Sequence, residues 1–104
     1  MVREVVYRRL AEDDLREIYL RRAEIEDLES AADLVAAIQD RCEGLASFSE
    51  RGTPRSDIAP GLRSIPFRRK AVIAYLVRPS TVEIVGIMYG GRDLNILREP
   101  GRLR

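Results

Sequence analysis

The chain contains no histidine and only one cysteine, Cys42, among its 104 residues. The absence of histidine excludes a Ser-His-Asp triad, a Cys-His nucleophile and a histidine metal site. One cysteine can form neither an internal disulfide nor a thiolate zinc site, and this usage is typical of a reducing compartment. Because Cys42 lies on an apolar stripe, we expect a small core residue there.

Long apolar runs are missing too. The longest spans residues 71–77, far short of the ~20 residues that cross a bilayer. The N-terminal sequence MVREVVYRR lacks the apolar core of a signal peptide, so we expect a cytoplasmic protein without membrane contact. Neither GxxxxGK[ST] nor GxGxxG occurs, and we expect no cofactor and no metal. The length suits one two-layer domain over residues 1–104.

The charges that are present are divided unevenly between the two halves. Residues 1–50 carry seven basic and thirteen acidic side chains, whereas residues 51–104 carry eleven and four, for net charges of −6 and +7. Such asymmetry indicates polar binding faces. The alternative is a solvated pair of helices beside a solvated sheet edge. We favour a binding face, because the basic residues of the second half cluster at strand ends and in loops.

The first half predicts a strand over residues 3–8 and a helical hairpin from residues 11–24 and about 31–48. Apolar residues recur at helical spacing in both helices. Ser30 with Asp33 resembles a capping box at the second helix start. The stripes consist of Leu15, Ile18, Tyr19 and Arg22 in the first helix and of Leu34, Val35, Ile38, Cys42 and Leu45 in the second.

The second half predicts a three-stranded antiparallel meander after a loop over residues 49–60. Three runs rich in Val, Ile and Tyr, at 61–67, 71–77 and 81–91, are separated by short polar breaks, and such residues suit a pleated, half-buried surface. The basic tail over residues 91–104 contains Pro100-Gly101, so we expect it to lack regular structure and to be disordered without a partner. The predicted fold class is a two-layer α+β domain.

These features follow the order of a known family. The matching residues are Ala11, Asp14-Leu15, Ile18, Ala31-Ala32, Ile38, Gly52, Pro54, Gly61-Leu62-Arg63-Ser64, Tyr75, Val82-Glu83-Ile84-Val85 and Gly91-Arg92-Asp93. Their order and spacing resemble the ParE/RelE superfamily, the toxins of bacterial type II toxin–antitoxin modules, with the ParE branch closer. The resemblance implies that the first strand lies beside the last.

Two activities are implied by the resemblance. RelE-like toxins cut messenger RNA on the ribosome, which requires groups that take and give protons and cations for the phosphorane charge. Arg63 and Arg92 occupy corresponding positions, but Lys70 is the only lysine and no tyrosine follows Tyr89. ParE-like toxins lack that catalytic set and poison DNA gyrase by binding. We therefore expect a ParE-like gyrase inhibitor, with a RelE-like endoribonuclease or a degenerate, inactive member as alternatives.

The candidate site residues follow from this expectation. A ParD-like antitoxin is the expected partner, and no sequence-specific nucleic-acid binding is expected. For individual residues, Arg63 either faces solvent or pairs with Glu83, Asp93 orients Arg92, and Tyr75 is a core residue with its hydroxyl at the edge. The expected target-binding residues are Arg63, Tyr89, Arg92 and Arg98, and the expected antitoxin-binding residues are Leu15, Ile18, Tyr19, Arg68 and Arg69.

Overall fold

Two helices and five strands form the two layers of this α+β fold in the computed structural model, which describes residues 2–103. Short 3-10 turns at Gly44–Ala46 and Leu94–Arg98 follow the second helix and the last strand. The elements are β1 Glu4–Tyr7, α1 Arg9–Ile25, α2 Leu28–Glu43, β2 Thr53–Pro54, β3 Leu62–Phe67, β4 Ala71–Val77 and β5 Thr81–Tyr89.

All five strands belong to one sheet in the order β1-β5-β4-β3-β2. The predicted meander is confirmed, since β3, β4 and β5 pair antiparallel in sequence. The predicted position of the first strand is also confirmed, because β1 pairs with β5 in parallel. One strand was not predicted. Thr53 and Pro54 pair with Ser64 and Arg63 at the edge of the sheet.

The helical hairpin is confirmed, but its ends differ from the prediction. The second helix starts at Leu28, and the predicted capping box at Ser30 is wrong, because Asp27 is the N-cap and its Oδ1 accepts the Ser30 N–H at 2.7 Å. The helix gives way to a 3-10 turn at Gly44, a weak helix former. Neither helix in the described part of the chain combines the length and apolar character that crossing a membrane requires.

The main core lies between the helices and one sheet face. Of the predicted α2 stripe, Leu34 is 5% exposed and Ile38, Cys42 and Leu45 are fully buried, whereas Val35 is only partly buried. Burial raises the pKa of Cys42 to about 11, because removal from water disfavours the thiolate. The thiol therefore stays protonated at neutral pH, which agrees with a packing role.

The second sheet face is covered by the C-terminal segment, so the predicted disordered tail is wrong. Leu97 is 1% exposed and Arg102 is 6% exposed. The apolar residues of this face would otherwise contact water, and their burial stabilises the ordered segment. This second core comprises Leu62, Ala74, Leu76, Val85, Met88 and Leu97, with Ile58, Ala59, Leu94 and Leu103 packed against it.

A buried ion pair closes the edge of β5 beyond the end of β1. Asp14 is 3% exposed, and its Oδ2 accepts the Ile87 N–H at 3.0 Å and a bond from Arg102 Nη1 at 2.7 Å. Arg102 Nη1 also approaches the Val85 carbonyl oxygen at 3.4 Å. The strand edge would otherwise leave these backbone groups unpaired in the interior.

A β-bulge changes which side chains of β5 face the helices. Ala74 pairs with Gly86, but the next residue, Tyr75, pairs with Ile84, so Val85 is an extra residue in β5. Strict alternation from Ile84 would place Tyr89 on the second face. The bulge shifts the alternation of side chains between the two sheet faces by one residue. Tyr89 therefore packs against the core under the helices.

Candidate functional site

The two ends of the sheet carry different parts of the predicted site. At one end, Tyr89 pairs with Ala71, and the Gly90 N–H donates to the Lys70 carbonyl oxygen at 3.0 Å. We call this the Tyr89 end, and the end with the β4–β5 turn the Glu83 end. Arg63 pairs with Tyr75, so four residues of β4, or about 13 Å, separate it from the Tyr89 end.

A depression of about 180 Å³ lies at the Tyr89 end, between α1, the start of α2 and the end of β5. We call it the Tyr89 depression. Apolar and aromatic side chains form its floor, and arginines and glutamates form its rim. The Tyr89 hydroxyl accepts a hydrogen bond from Arg22 Nη2 at 3.0 Å. Its lining residues are Glu17, Ile18, Arg21, Arg22, Ile25, Glu26, Leu34, Tyr89 and Arg92.

Arg92 is held loosely at this depression. Its Nη1 lies 3.4 Å from Asp14 Oδ1 and 3.9 Å from Glu17 Oε2, and its side chain is 31% exposed. Asp14 is bound more closely by Arg102. The expected pairing of Arg92 with Asp93 is wrong, because Asp93 Oδ1 accepts the Asn95 N–H and caps a 3-10 turn. The Arg92 guanidinium is therefore available to a ligand.

Arg63 is part of the loop structure at the opposite end. Its Nη1 donates to the carbonyl oxygens of Gly52 at 2.7 Å and Glu50 at 3.0 Å. The expected alternative of a pair with Glu83 is wrong, since Glu83 binds Arg8 at 2.7 Å. Arg63 is thus occupied in holding the segment before β2.

Tyr75 anchors the same segment from the sheet. The residue is fully buried, and its hydroxyl donates to the Ser49 carbonyl oxygen and accepts the Gly52 N–H, both at 2.9 Å. A Cβ at Gly52 would lie 2.9 Å from the Ser64 carbonyl oxygen and would collide with the Tyr75 hydroxyl. Burial raises the pKa of Tyr75, so it is a poor proton donor or acceptor at neutral pH.

Arg98 also lies outside the Tyr89 depression. It belongs to the 3-10 turn after β5, where its Nε donates to Asn95 Oδ1 at 3.0 Å and its Nη2 to the Asp57 carbonyl oxygen at 3.2 Å. It therefore neighbours the segment that covers the second sheet face. Of the four predicted target-binding residues, the structure brings only Tyr89 and Arg92 together.

The predicted antitoxin-binding residues lie in three places. Leu15 and Ile18 are 8% and 6% exposed and belong mainly to the core. Ile18 forms part of the floor of the Tyr89 depression, whereas Leu15 and Tyr19 line a separate depression between the helices. Arg68 and Arg69 occupy the turn between β3 and β4, where they line a depression with residues of α2.

Three important residues were not predicted as parts of a site: Asp14, Arg22 and Arg102. The sequence carried a signal for Asp14, because it lies three residues after Ala11 and four before Ile18 on the buried stripe. A carboxylate on a buried stripe needs a cationic partner. The partners themselves come from distant parts of the chain, since Arg102 reaches Asp14 across 88 positions and Tyr89 reaches Arg22 across 67.

The Tyr89 depression carries groups that can bind a ligand. The Tyr89 depression presents guanidinium donors, one phenol hydroxyl and an apolar floor. Within residues 2–103, no group of three His, Cys, Asp or Glu side chains is arranged to hold a metal ion.

Comparison with known proteins identifies the family. A model of the ParE toxin of type II toxin–antitoxin systems, parDE, matches residues 5–94. The chain belongs to the ParE toxin family. It is therefore a ParE-type toxin of a type II toxin–antitoxin system, and the resemblance noted in its sequence is confirmed. The matched range includes Tyr89 and Arg92 but ends before Arg98 and Arg102.

A solved structure has the same fold. A chain from the chromosomal ParDE TA system of P. aeruginosa superimposes with a TM-score of 0.75 at 22% sequence identity, over 86% of this chain and 97% of that chain. No curated protein sequence matches this chain significantly.

Proposed function

We propose that this ParE family member inhibits DNA gyrase by binding and that a ParD-like antitoxin neutralises it. The observation that carries the proposal is the separation of Arg63 from Arg92, the two arginines at positions that correspond to those of RelE-like toxins. A ribonuclease must converge its cations on one scissile phosphate, but Arg63 and Arg92 lie at opposite ends of the sheet. Family membership and this separation together favour inhibition by binding over the RelE-like alternative.

The Tyr89 depression is the proposed contact with the target. Arg92 has a partly exposed guanidinium, and the Tyr89 hydroxyl is already oriented by Arg22. A preoriented aromatic side chain beside an arginine is typical of residues that dominate binding energy. Arg63 and Arg98 then support the surrounding segments instead of contacting the target directly.

The proposed mechanism is tested with purified toxin in two assays. In a gyrase supercoiling reaction, wild-type toxin should raise the amount of cleaved DNA, and ribosome-bound message should stay intact in a toeprint. Arg92→Ala should remove most of the gyrase effect, whereas Arg16→Ala, which changes an exposed arginine on α1, should not. Codon-specific cuts on the ribosome with gyrase unaffected would overturn the proposal in favour of the ribonuclease.

The antitoxin is proposed to place an acidic and apolar segment along the Tyr89 end. The depression there combines an apolar floor, which includes Ile18, with an arginine rim, and Arg68 and Arg69 flank a second depression near the β3–β4 turn. Apolar burial would supply most of the affinity, and the charges would speed association. A segment that is disordered when free can cover both depressions as it folds.

One residue tests this docking without disturbing the core. Ile25 is 72% exposed and lines the Tyr89 depression, so Ile25→Asp should weaken antitoxin binding sharply and leave the melting temperature nearly unchanged. Leu20→Asp is the matched control, because Leu20 is 58% exposed and lines a different depression. An affinity that survives both Ile25→Asp and truncation of the antitoxin's C-terminal half would contradict the proposed surface.

A further inference from the structure

Three consecutive cations in the β3–β4 turn differ from most arginines of this protein, because their side chains have no hydrogen-bond or ion-pair partner within residues 2–103. Arg68, Arg69 and Lys70, here called the basic turn, are exposed. None of their side chains forms a salt bridge or a hydrogen bond with any of residues 2–103. No ion pair or hydrogen bond therefore uses their charge to stabilise the described part of the fold.

The backbone of the basic turn is unfavourable for the residues that occupy it. Arg68 has φ 48° and Arg69 has φ 59°, both in the left-handed region. This conformation costs residues with a Cβ about 1–2 kcal/mol each, and Asn-Gly is the usual choice at such a turn. The two arginines thus lower stability relative to Asn-Gly, and strain of this kind is a reason to look for a function.

The charge around the basic turn suits a polyanion. Phe67, next to the turn, is 4% exposed, and the Arg68 guanidinium lies 4.9 Å from its ring centroid, which orients the cation. Nucleic-acid backbones are bound by exposed arginine and lysine side chains of this kind. Asp40 is the one acid lining the adjacent depression, against three arginines.

We propose that the basic turn binds the phosphodiester backbone of duplex DNA without sequence preference. This inference rests on the proposed function, because it places the turn against the DNA that gyrase has cut. The turn lies at the same sheet end as Tyr89, so gyrase and its DNA would contact one side of the toxin. Guanidinium groups pair with two phosphate oxygens at once. An antitoxin segment over Arg68 and Arg69 would exclude the DNA.

Direct binding of purified toxin to a fluorescent mixed-sequence duplex, followed by anisotropy at several salt concentrations, tests the inference without gyrase. Three phosphate contacts predict a slope of about −2.7 in log affinity against log salt, or about a 40-fold loss for a fourfold rise in salt. The double variant Arg68→Asn, Arg69→Gly should reduce that loss to about fourfold, as one contact remains. Because the new residues relieve strain, the variant should melt at an equal or higher temperature.

Two control variants separate local charge from bulk charge. Arg68→Lys with Arg69→Lys keeps both cations and should keep the steep salt dependence. Arg9→Gln with Arg16→Gln removes two exposed cations from α1 and should bind DNA as the wild type does. An equal loss in this helix variant would overturn the inference, and so would wild-type toxin that binds an acidic peptide but not DNA.

The duplex-binding measurements, together with the gyrase assay, distinguish the two proposals. If wild-type toxin traps gyrase cleavage complexes but does not bind the duplex, the basic-turn inference fails and the proposed function stands. If the toxin binds the duplex through the turn but never raises cleaved DNA, the gyrase proposal fails and DNA binding by the turn stands.

Discussion

The two ends of the sheet use arginine in opposite ways. At the Glu83 end, Arg8 binds Glu83 at 2.7 Å and Arg63 binds the Gly52 carbonyl oxygen at 2.7 Å. At the Tyr89 end, the shortest contact of Arg92 with a carboxylate is 3.4 Å, and the side chains of the basic turn form no hydrogen bond or salt bridge within residues 2–103. Arg8 and Arg63 at the first end stabilise the fold, whereas Arg92 and the basic turn at the second end are available to bind a ligand.

Among the arginines, Arg102 should give the largest loss of stability when it is removed, because it forms two short bonds to the buried Asp14. Arg102→Ala should lower the free energy of unfolding by about 3–5 kcal/mol, because it leaves Asp14 buried without its main partner. Urea denaturation measures the effect. Arg98→Ala is the control on an exposed arginine of the same segment. Its free energy of unfolding should stay within about 0.5 kcal/mol of the wild-type value. Similar values for the two variants would contradict a structural role for the Asp14–Arg102 pair.

The Glu83 end is next tested through Tyr75. Tyr75→Phe should lower the free energy of unfolding by about 1–3 kcal/mol, because the Ser49 carbonyl and the Gly52 N–H lose their hydrogen-bond partner in the interior. The lost hydroxyl should also loosen the segment held by Arg63, which amide hydrogen exchange at Gly52 would detect as faster exchange. Tyr19→Phe is the control on a half-exposed tyrosine. Unchanged exchange at Gly52 would show that Arg63 holds the segment alone.

The ion pair of Glu83 with Arg8 makes the stability of the fold depend on pH. The hydrogen bond from Arg8 lowers the pKa of Glu83 below its ordinary value of 4.5. A lowered folded-state pKa adds stability above pH 4.5, and this stability is lost as the pH falls through the folded-state value. Glu83→Gln should therefore be less stable at neutral pH by about 0.5–1 kcal/mol. The difference should shrink below pH 4.5, whereas a constant difference would exclude the linkage.

Arg92→Ala, at the Tyr89 end, should have the smallest effect on stability. Because Arg92 is partly exposed and Asp14 keeps its ion pair with Arg102, the free energy of unfolding should change by no more than about 0.5 kcal/mol. Growth arrest in cells should nevertheless fall sharply. Antitoxin binding should persist with at most a modest loss, because apolar contacts, not the arginine rim, supply most of its affinity. A parallel loss of melting temperature and antitoxin affinity would instead assign Arg92 a structural role. Full toxicity would remove Arg92 from the site.

Local patterns predicted most of the fold because they depend on neighbouring residues. The β4 bounds agree with the predicted run over residues 71–77, and the α2 stripe is buried at Leu34, Ile38 and Leu45. The cap at Asp27 was missed because several polar residues near a helix start can accept the same N–H. Disorder was predicted for the tail because its composition does not show that a sheet face needs covering.

The sequence by itself determined the order of the two helices and the four longer strands, the buried stripes and the surplus of positive charge in the second half, since each depends on residue type and short-range spacing. Only the tertiary structure decided which basic residues are free. The bulge at Val85 placed Tyr89 on the helix face, and the packing of the C-terminal segment brought Arg102 to Asp14. Such pairings depend on strand register and long-range contact, and neither is encoded in the periodicity of any one segment.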